Sequence, residues 1–146
     1  MTVSMDEVRS LAERFHHVVG TEKGDGDAQA AFFLHPEPRI FVAHGEDIDL
    51  DGNWRIHQRI VDERMTWLEP WDLCRLSDEP ERARATGAVL WEGRSLDDDA
   101  GLVRVVVGED WIVQRHADGD LRFALYINTY HRVLPGSSRV DIRPGS

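Results

Sequence analysis

The sequence predicts an α+β domain in which three helices from the N-terminal half pack on one face of a bent antiparallel sheet. Apolar residues recur at helical spacing in the first part of the chain, and from Trp67 onward they follow strand spacing. Helices followed by a meander of strands favour this class. Three helices cannot fill the inward side of so long a sheet, so an apolar pocket is expected between them. The 146 residues suit a single domain.

The helices are predicted from their termini. Ser4 and Glu7 form a capping box that begins the first helix, and Gly20 ends it. Asp27 is expected to cap a short second helix, and Asn53 a third.

The strands are predicted from runs of apolar residues between turn segments. One short strand covers residues 39–44, and five later runs read WLEPWDLCRL, ARATGAVLWEG, GLVRVVV, WIVQRH and LRFALYINTY. The predicted turns between them are SDEPE, SLDDDA, GED and HADGD, and the last contains the hairpin signal Asp118-Gly119. We expect one domain over residues 1–134 and an extended or disordered tail over residues 135–146.

The composition argues against several classes of partner. The net charge is −10, with 27 acidic residues against 17 scattered basic ones, so neither nucleic acid nor an anionic membrane surface is expected to bind. No apolar run is long enough to span a membrane, and the first residues do not form a signal peptide. The single cysteine, Cys74, fits a reducing compartment, so a cytoplasmic location is expected.

The order of elements resembles the nuclear transport factor two-like superfamily, which includes ketosteroid isomerases, scytalone dehydratase and SnoaL-like polyketide cyclases. Three local features carry the resemblance over about residues 5–132: FFLHPEPRIFVAHG after two helices, Gly52 before the third helix, and the final hairpin ADGDLRFALYINTYH. The resemblance implies a cone-shaped sheet. Related domains often pair through this sheet, and its many apolar residues would leave a large exposed patch on a monomer, so a homodimer is expected.

The catalytic pattern of those families matches only in part. The resemblance puts His44 where the isomerases have their base carboxylate, and Phe15, which cannot donate a hydrogen bond, where they have a tyrosine. Their second donor, an acid on the penultimate strand, falls near Gly108 or Trp111. The acidic residue of the cyclases falls on Tyr126. Known activities are therefore not carried over to this chain.

A catalytic set of His44, Tyr126 and Asn128 is nevertheless predicted. Histidine suits acid–base work near neutral pH, although His44 could also be a structural residue bonded to a backbone carbonyl. Strand alternation predicts that Arg122, Ala124, Tyr126 and Asn128 share one face of the last strand, and Phe123, Leu125 and Ile127 the other. The first face could line the pocket, with Tyr126 and Asn128 polarising a substrate oxygen, or it could face solvent or a dimer partner.

The predicted ligand pocket is mainly aromatic and suits a small apolar or aromatic ligand. Its candidate lining residues are Phe15, Phe33, Trp54, His57, Trp67, Trp71, Trp91 and Arg115. At least half of the tryptophans are instead expected to belong to the core or to a dimer interface.

No metal and no cofactor are expected. The seven histidines show no HxxxH, HxH or HExxH spacing. Residues 47–52 match the start of a calcium loop, but Gln58 stands where the closing glutamate would be needed.

Two functions from different classes remain open on this sequence. The first is a cofactor-free pocket enzyme that transfers protons as an isomerase, cyclase or dehydratase, with His44 as the acid or base. The second is a non-catalytic domain of the same fold that binds a ligand or a partner protein.

Overall fold

A computed structural model describes residues 2–43, 45–97 and 101–140. These residues contain three α-helices, α1 (Met5–His16), α2 (Gly26–Ala30) and α3 (Leu50–Gln58), and a π-helical turn, His17–Thr21, continues α1. They also contain six strands: β1 (Ile40–Phe41), β2 (Asp47–Ile48), β3 (Ile60–Asp78), β4 (Glu81–Ser95), β5 (Leu102–Arg115) and β6 (Leu121–Val133). The predicted α+β class is confirmed.

The strands form one open sheet in the order β2-β1-β6-β5-β4-β3. Neighbouring strands are antiparallel except β1 and β6, which run parallel, so the sheet is mixed. Burial alternates along β4 and β5, which means that one face of the sheet carries the core. We call this buried face the inner face of the sheet.

The helix starts agree with the sequence at α1 and differ at α2 and α3. The Ser4–Glu7 capping box is present, as predicted. Asp25 rather than Asp27 caps α2, and Asp49 rather than Asn53 caps α3. Asn53 lies inside α3, where its buried side-chain amide donates a hydrogen bond to the side chain of Gln29 at 3.0 Å.

The predicted GED turn is wrong, because β5 runs without interruption from Leu102 to Arg115. Gly108 lies against Thr129 and Tyr130, and a Cβ atom there would come within 2.3 Å of both side chains. The glycine therefore permits close approach of β6 rather than a chain reversal. Glu109, the next residue, is buried and only 3% exposed.

The predicted side-chain alternation on β6 is also wrong. The pairing register between β5 and β6 shifts between Ile112 and Val113, and Ala124 is the additional residue. A bulge of this kind changes which side chains share a face. Phe123 and Tyr126, predicted on opposite faces, are consequently both buried on the inner face.

The Asp118-Gly119 turn is formed as predicted, and the first residues of the tail contact the domain. Gly119 adopts a positive φ of 95° in the predicted Asp118-Gly119 turn. Beyond β6, the backbone N–H of Ser138 donates to the carbonyl of Leu102 at 2.7 Å, and Val140 packs against the core. Residues 141–146 lie outside the described residues. Within the described ranges, no helix is both long enough and apolar enough to cross a membrane.

Candidate functional site

A pocket of about 220 Å³ lies between the end of α1, its π-helical continuation, the end of α3 and the start of β3. This volume is below the range of about 300–1,000 Å³ that is usual for drug-sized ligands, so the pocket suits a small molecule. The side chains that carry its chemistry are His16, His57 and Glu63, and its apolar wall includes Val19, Met65 and Trp67.

Glu63 is the centre of a buried polar cluster at this pocket. Its side chain is 2% exposed. Oε1 accepts hydrogen bonds from Nδ1 of His57 at 2.7 Å and from Nε1 of Trp91 at 2.6 Å, and Oε2 accepts one from Nζ of Lys23 at 2.5 Å. Three donors from three separate parts of the chain thus converge on one carboxylate. We call Lys23, His57, Glu63 and Trp91 the Glu63 cluster.

The partners of Glu63 keep it ionised. Burial alone would raise the pKa of this carboxyl, but the attraction of His57 and the hydrogen bonds from His57 and Lys23 outweigh burial, so the pKa lies below its ordinary value. An ionised carboxylate can only accept hydrogen bonds. Nδ1 of His57 must therefore be the donor in the His57–Glu63 contact.

This hydrogen bond determines the state of the other ring nitrogen of His57. When Nδ1 of a neutral imidazole carries the proton, Nε2 presents a lone pair. Among the described residues, no group donates a hydrogen bond to this Nε2. When its ring is neutral, His57 can therefore accept a proton at Nε2, and the Glu63 carboxylate is placed to stabilise the imidazolium that forms on protonation.

A second polar cluster lies on the inner face of β5 and β6. Glu109 Oε2 accepts hydrogen bonds from Nε1 of Trp111 at 2.8 Å and from Nδ2 of Asn128 at 2.9 Å. Burial raises the pKa of Glu109 well above its ordinary value, although both hydrogen bonds act in the opposite direction. Burial and then the charge of Glu109 raise the pKa of Tyr126, so Tyr126 stays a neutral phenol.

His16 lies between the pocket and Tyr126. It lines the pocket, and its Nε2 lies 3.3 Å from the hydroxyl of Tyr126. Burial, followed by repulsion from His57, lowers the pKa of His16 to about 4. The ring is consequently neutral near pH 7, where it can share a hydrogen bond with Tyr126 without adding charge to the pocket.

The structure describes two of the three predicted catalytic residues. Tyr126 and Asn128 both lie on β6: the hydroxyl of Tyr126 contacts His16 of the pocket, and Asn128 donates to Glu109 in the second polar cluster. His44 lies outside the described residues, so its role stays a prediction.

The candidate pocket residues separate into four groups. His57 and Trp67 line the pocket. Trp71 stacks on Trp67 with ring centroids 3.9 Å apart, Trp91 donates to Glu63, and Trp54 donates to the carbonyl of Lys23. Phe15 and Phe33 pack with Phe123 and Tyr126 in the aromatic core. Arg115 instead forms ion pairs with Glu7 and Glu81.

Sequence reasoning missed four residues of the two clusters: Lys23, Glu63, Glu109 and His16. Lys23 adopts a positive φ of 56° in a loop, and nothing in its immediate sequence signals that conformation. Glu63 was not predicted as a site residue because the strand was predicted to begin at Trp67, whereas β3 begins at Ile60. In the part of the chain that the structure describes, no group of three or more His, Cys, Asp or Glu side chains is arranged to hold a metal ion.

The chain has a nuclear transport factor two-like fold. It is similar in structure to a ketosteroid isomerase-like protein from Erwinia carotovora atroseptica, with a TM-score of 0.60 and 10% identity over 89% of this chain and 95% of that one. An NTF2-like protein from Cytophaga hutchinsonii has a TM-score of 0.56 and 9% identity, over 91% of this chain and 100% of that one.

A conserved protein from Planctomyces limnophilus is also similar, with a TM-score of 0.65 and 13% identity over 88% of this chain and 95% of that one. No family model and no curated protein sequence matches the chain. At these identities the comparisons identify the fold, and the function has to be argued from the site.

Proposed function

We propose that the protein is a cofactor-free enzyme that moves a proton on a small molecule, as isomerases, cyclases and dehydratases do. The observation that carries the proposal is the contact between His57 Nδ1 and the buried Glu63 carboxylate at 2.7 Å, which leaves Nε2 of His57 as a base at the pocket wall. A carboxylate that orients a histidine in this way is a recurrent arrangement in acid–base catalysis.

The chemistry would begin with proton removal from a carbon next to a carbonyl group. Nε2 of His57 takes the proton, and the electron pair of the C–H bond forms a carbon–carbon double bond while the carbonyl electrons move to oxygen. Glu63 stabilises the imidazolium. His16 also lines the pocket, and if Nε2 accepts from the Tyr126 hydroxyl at 3.3 Å, the N–H of the neutral ring is on Nδ1 and is a candidate donor to the oxyanion. Return of the proton to the same carbon gives hydrogen exchange. In a substrate whose enolate is conjugated with a further carbon–carbon double bond, return of the proton to the γ carbon completes an isomerisation.

The charges of the pocket favour a neutral substrate. Each charged side chain that lines the pocket already has a partner of opposite charge. The ion pairs are Glu63 with Lys23, Glu13 with Arg9 at 2.9 Å, and Arg64 with Glu92 at 3.2 Å. A ligand carboxylate or phosphate would have to compete for a cation that already has a partner. Small neutral ketones are therefore suitable probes.

We expect His57→Asn to lower the rate of proton transfer by about 10²–10⁴-fold, the usual contribution of a general base. The asparagine amide can still donate to Glu63, so the variant removes the base while keeping that hydrogen bond. The measurement is exchange of the α-hydrogens of cyclohexanone and 2-tetralone for deuterium in D₂O, followed by NMR with and without protein.

The matched control is His116→Asn in the exposed β5–β6 turn, which should exchange these hydrogens like the unsubstituted protein. Melting temperatures of both variants show whether the fold is kept. Exchange that is equally fast with His57→Asn would contradict the assignment of His57 as the base.

The competing function, a non-catalytic ligand-binding domain, is favoured by Phe15. This residue is 2% exposed in the aromatic core and offers no hydrogen bond at the position of the isomerase tyrosine. The same experiment separates the two functions. Probe binding, seen as ligand-dependent chemical shifts in the protein, without any exchange would support the non-catalytic function.

We further propose a homodimer that pairs through the outer face of the sheet. Leu90 lies opposite Val106 and Ile112 opposite Leu125, and all four are only half-buried in one chain. The two apolar pairs are separated along β5 by Asp110, which is ion-paired with Arg84, and a partner copy would cover both pairs. We expect light scattering at micromolar concentration to give twice the mass of one 16.7 kDa chain. A monomeric mass, or a dimer unaffected by Ile112→Glu, would contradict this interface.

A further inference from the structure

Lys23 makes more contacts with the Glu63 cluster than an ordinary ion pair requires. Its Nζ donates to the Glu63 carboxylate and also to the backbone carbonyls of His57 at 2.9 Å and Ile60 at 2.6 Å. An ammonium group has three N–H donors, so all of them are used. Lys23 therefore holds the end of α3, the start of β3 and the Glu63 side chain in one fixed arrangement.

We propose that Lys23 is a positioning residue that holds Glu63 as an oriented carboxylate and thereby keeps the Nε2 lone pair of His57 available to the pocket. This inference rests on the proposed function for its catalytic meaning. Lys23 itself does not touch the substrate in this scheme. It acts through Glu63.

Without the Lys23 ammonium group, Glu63 is expected to take up a proton. Lys23 is the permanent cation of the cluster, and a carboxylate that is 2% exposed is costly to keep ionised beside a neutral His57 once that cation is removed. Once protonated, Glu63 becomes a hydrogen-bond donor, and its O–H can donate to Nδ1 of His57. The imidazole proton would then move to Nε2, and the ring would present a donor to the pocket instead of a base.

The loop that carries Lys23 is anchored in a way that fits this role. The left-handed backbone at Lys23, with φ of 56°, is costly for a residue with a side chain. Nε1 of Trp54 donates to the carbonyl of Lys23 at 3.1 Å, and the next residue, Gly24, donates through its N–H to the carbonyl of Val18 at 2.8 Å.

A buried pair of amides completes the anchorage of the loop. Nε2 of Gln29 donates to the carbonyl of Gly24 at 3.0 Å, and Nδ2 of Asn53 donates to Oε1 of Gln29, also at 3.0 Å. Gln29 is fully buried. The position of Lys23 is thus set by contacts from both α2 and α3, independently of its own ion pair.

The direct test is the tautomer of His57, measured without any substrate. Protein with ¹⁵N-labelled histidines is examined by long-range ¹H–¹⁵N NMR at neutral pH. In the unsubstituted protein we expect a protonated Nδ1 and an unprotonated Nε2 for His57. In Lys23→Met, which keeps much of the side-chain volume without the charge, we expect the proton on Nε2 in a large fraction of molecules.

Two further measurements keep the proposal testable if Lys23→Met folds poorly. The ¹³C shift of the Glu63 carboxyl should remain that of a carboxylate below pH 4.5, the ordinary pKa, in the unsubstituted protein. Lys23→Gln, a second neutral replacement whose amide can still donate to the backbone carbonyls, should likewise move the proton to Nε2 of His57, whereas Lys23→Arg, which keeps the charge, should leave it on Nδ1. Arg75→Met, at an exposed position on β3, is the matched loss of a positive charge and should change neither signal.

The outcomes separate this inference from the proposed function. A proton on Nε2 of His57 in the unsubstituted protein, or an unchanged tautomer in folded Lys23→Met, would overturn the role of Lys23. If the tautomer changes as expected and the ketone probes show no exchange, the role of Lys23 stands and the enzyme proposal fails. If exchange is observed, Lys23→Met should slow it by about 10–100-fold, as loss of a supporting partner does elsewhere.

Discussion

Replacing Glu63 with leucine is expected to lower the free energy of unfolding by about 3–5 kcal/mol, the usual cost of removing one member of a buried ion pair. The substitution leaves three donors without an acceptor: Nζ of Lys23, Nδ1 of His57 and Nε1 of Trp91. Chemical denaturation monitored by tryptophan fluorescence and by circular dichroism measures the change.

Two comparisons identify the cause of this loss. Glu13→Leu removes a carboxylate whose side chain is 59% exposed in its ion pair with Arg9, and it should change stability by less than about 1 kcal/mol. The double variant Lys23→Met/Glu63→Leu should be more stable than Glu63→Leu alone, because no unpaired, partly buried cation remains. An additive double variant would mean that the two charges do not interact.

The same carboxylate predicts a pH dependence of stability. Because the pKa of folded Glu63 lies below its ordinary value of 4.5, its contribution is complete above pH 4.5 and is lost as the pH falls through the folded pKa. Glu63→Leu should make stability less dependent on pH in this range.

His16 makes stability depend on pH over a different range. Its pKa falls from 6.5 to about 4 on folding, so stability decreases as the pH falls from 6.5 to 4.

Local signals in the sequence were sufficient to predict the class of the fold and the positions of some helix starts and turns. The Ser4–Glu7 capping box and the Asp118-Gly119 turn depend on residues close together in the chain, and both are present in the structure. The predicted N-cap residues of α2 and α3 were wrong, because several aspartates lie near each helix start and the structure uses Asp25 and Asp49. Which aspartate caps a helix depends on where the chain turns into it, and that is decided by packing.

The Glu63 cluster could not be predicted from such local signals. Lys23 and Glu63 are 40 residues apart, and Trp91 lies 28 residues beyond Glu63. Their contact depends on the three-dimensional meeting of a loop, α3, β3 and β4. His57 and Trp91 were candidate pocket residues, but no residue at helical spacing from His57 indicated a partner for its ring.

Glu109 was missed for a different reason. Gly-Glu-Asp is a common composition for a turn, and the glycine supported that interpretation. The structure uses Gly108 for close approach of β6, so Glu109 continues β5 and turns inward. The resemblance to the isomerases put their second donor, an acid, near Gly108 or Trp111, neither of which is acidic. Glu109, which lies between these two residues, was not considered.

Trp111→Ala is expected to lower the free energy of unfolding by about 3–5 kcal/mol, the usual cost of truncating a large buried aromatic side chain. Trp111 has no exposed surface, and its ring packs against those of Tyr126 and Trp71 with centroids 5.4 Å and 5.0 Å away. The matched control is Leu76→Ala, which truncates an apolar side chain that is 46% exposed and should change stability by about 0.5 kcal/mol or less.

Trp111→Phe separates the packing of the ring from its hydrogen bond. The phenyl ring keeps much of the aromatic contact but cannot donate to Glu109, whose remaining donor is Asn128 at 2.9 Å. Since the hydrogen bond from Trp111 acts to lower the pKa of Glu109, its loss should raise that pKa further. We expect a cost of about 1–3 kcal/mol, measured by denaturation, together with a Glu109 carboxyl ¹³C signal that titrates at higher pH. If Trp111→Phe were as unstable as Trp111→Ala, the indole N–H rather than the ring would be the main contribution of this residue.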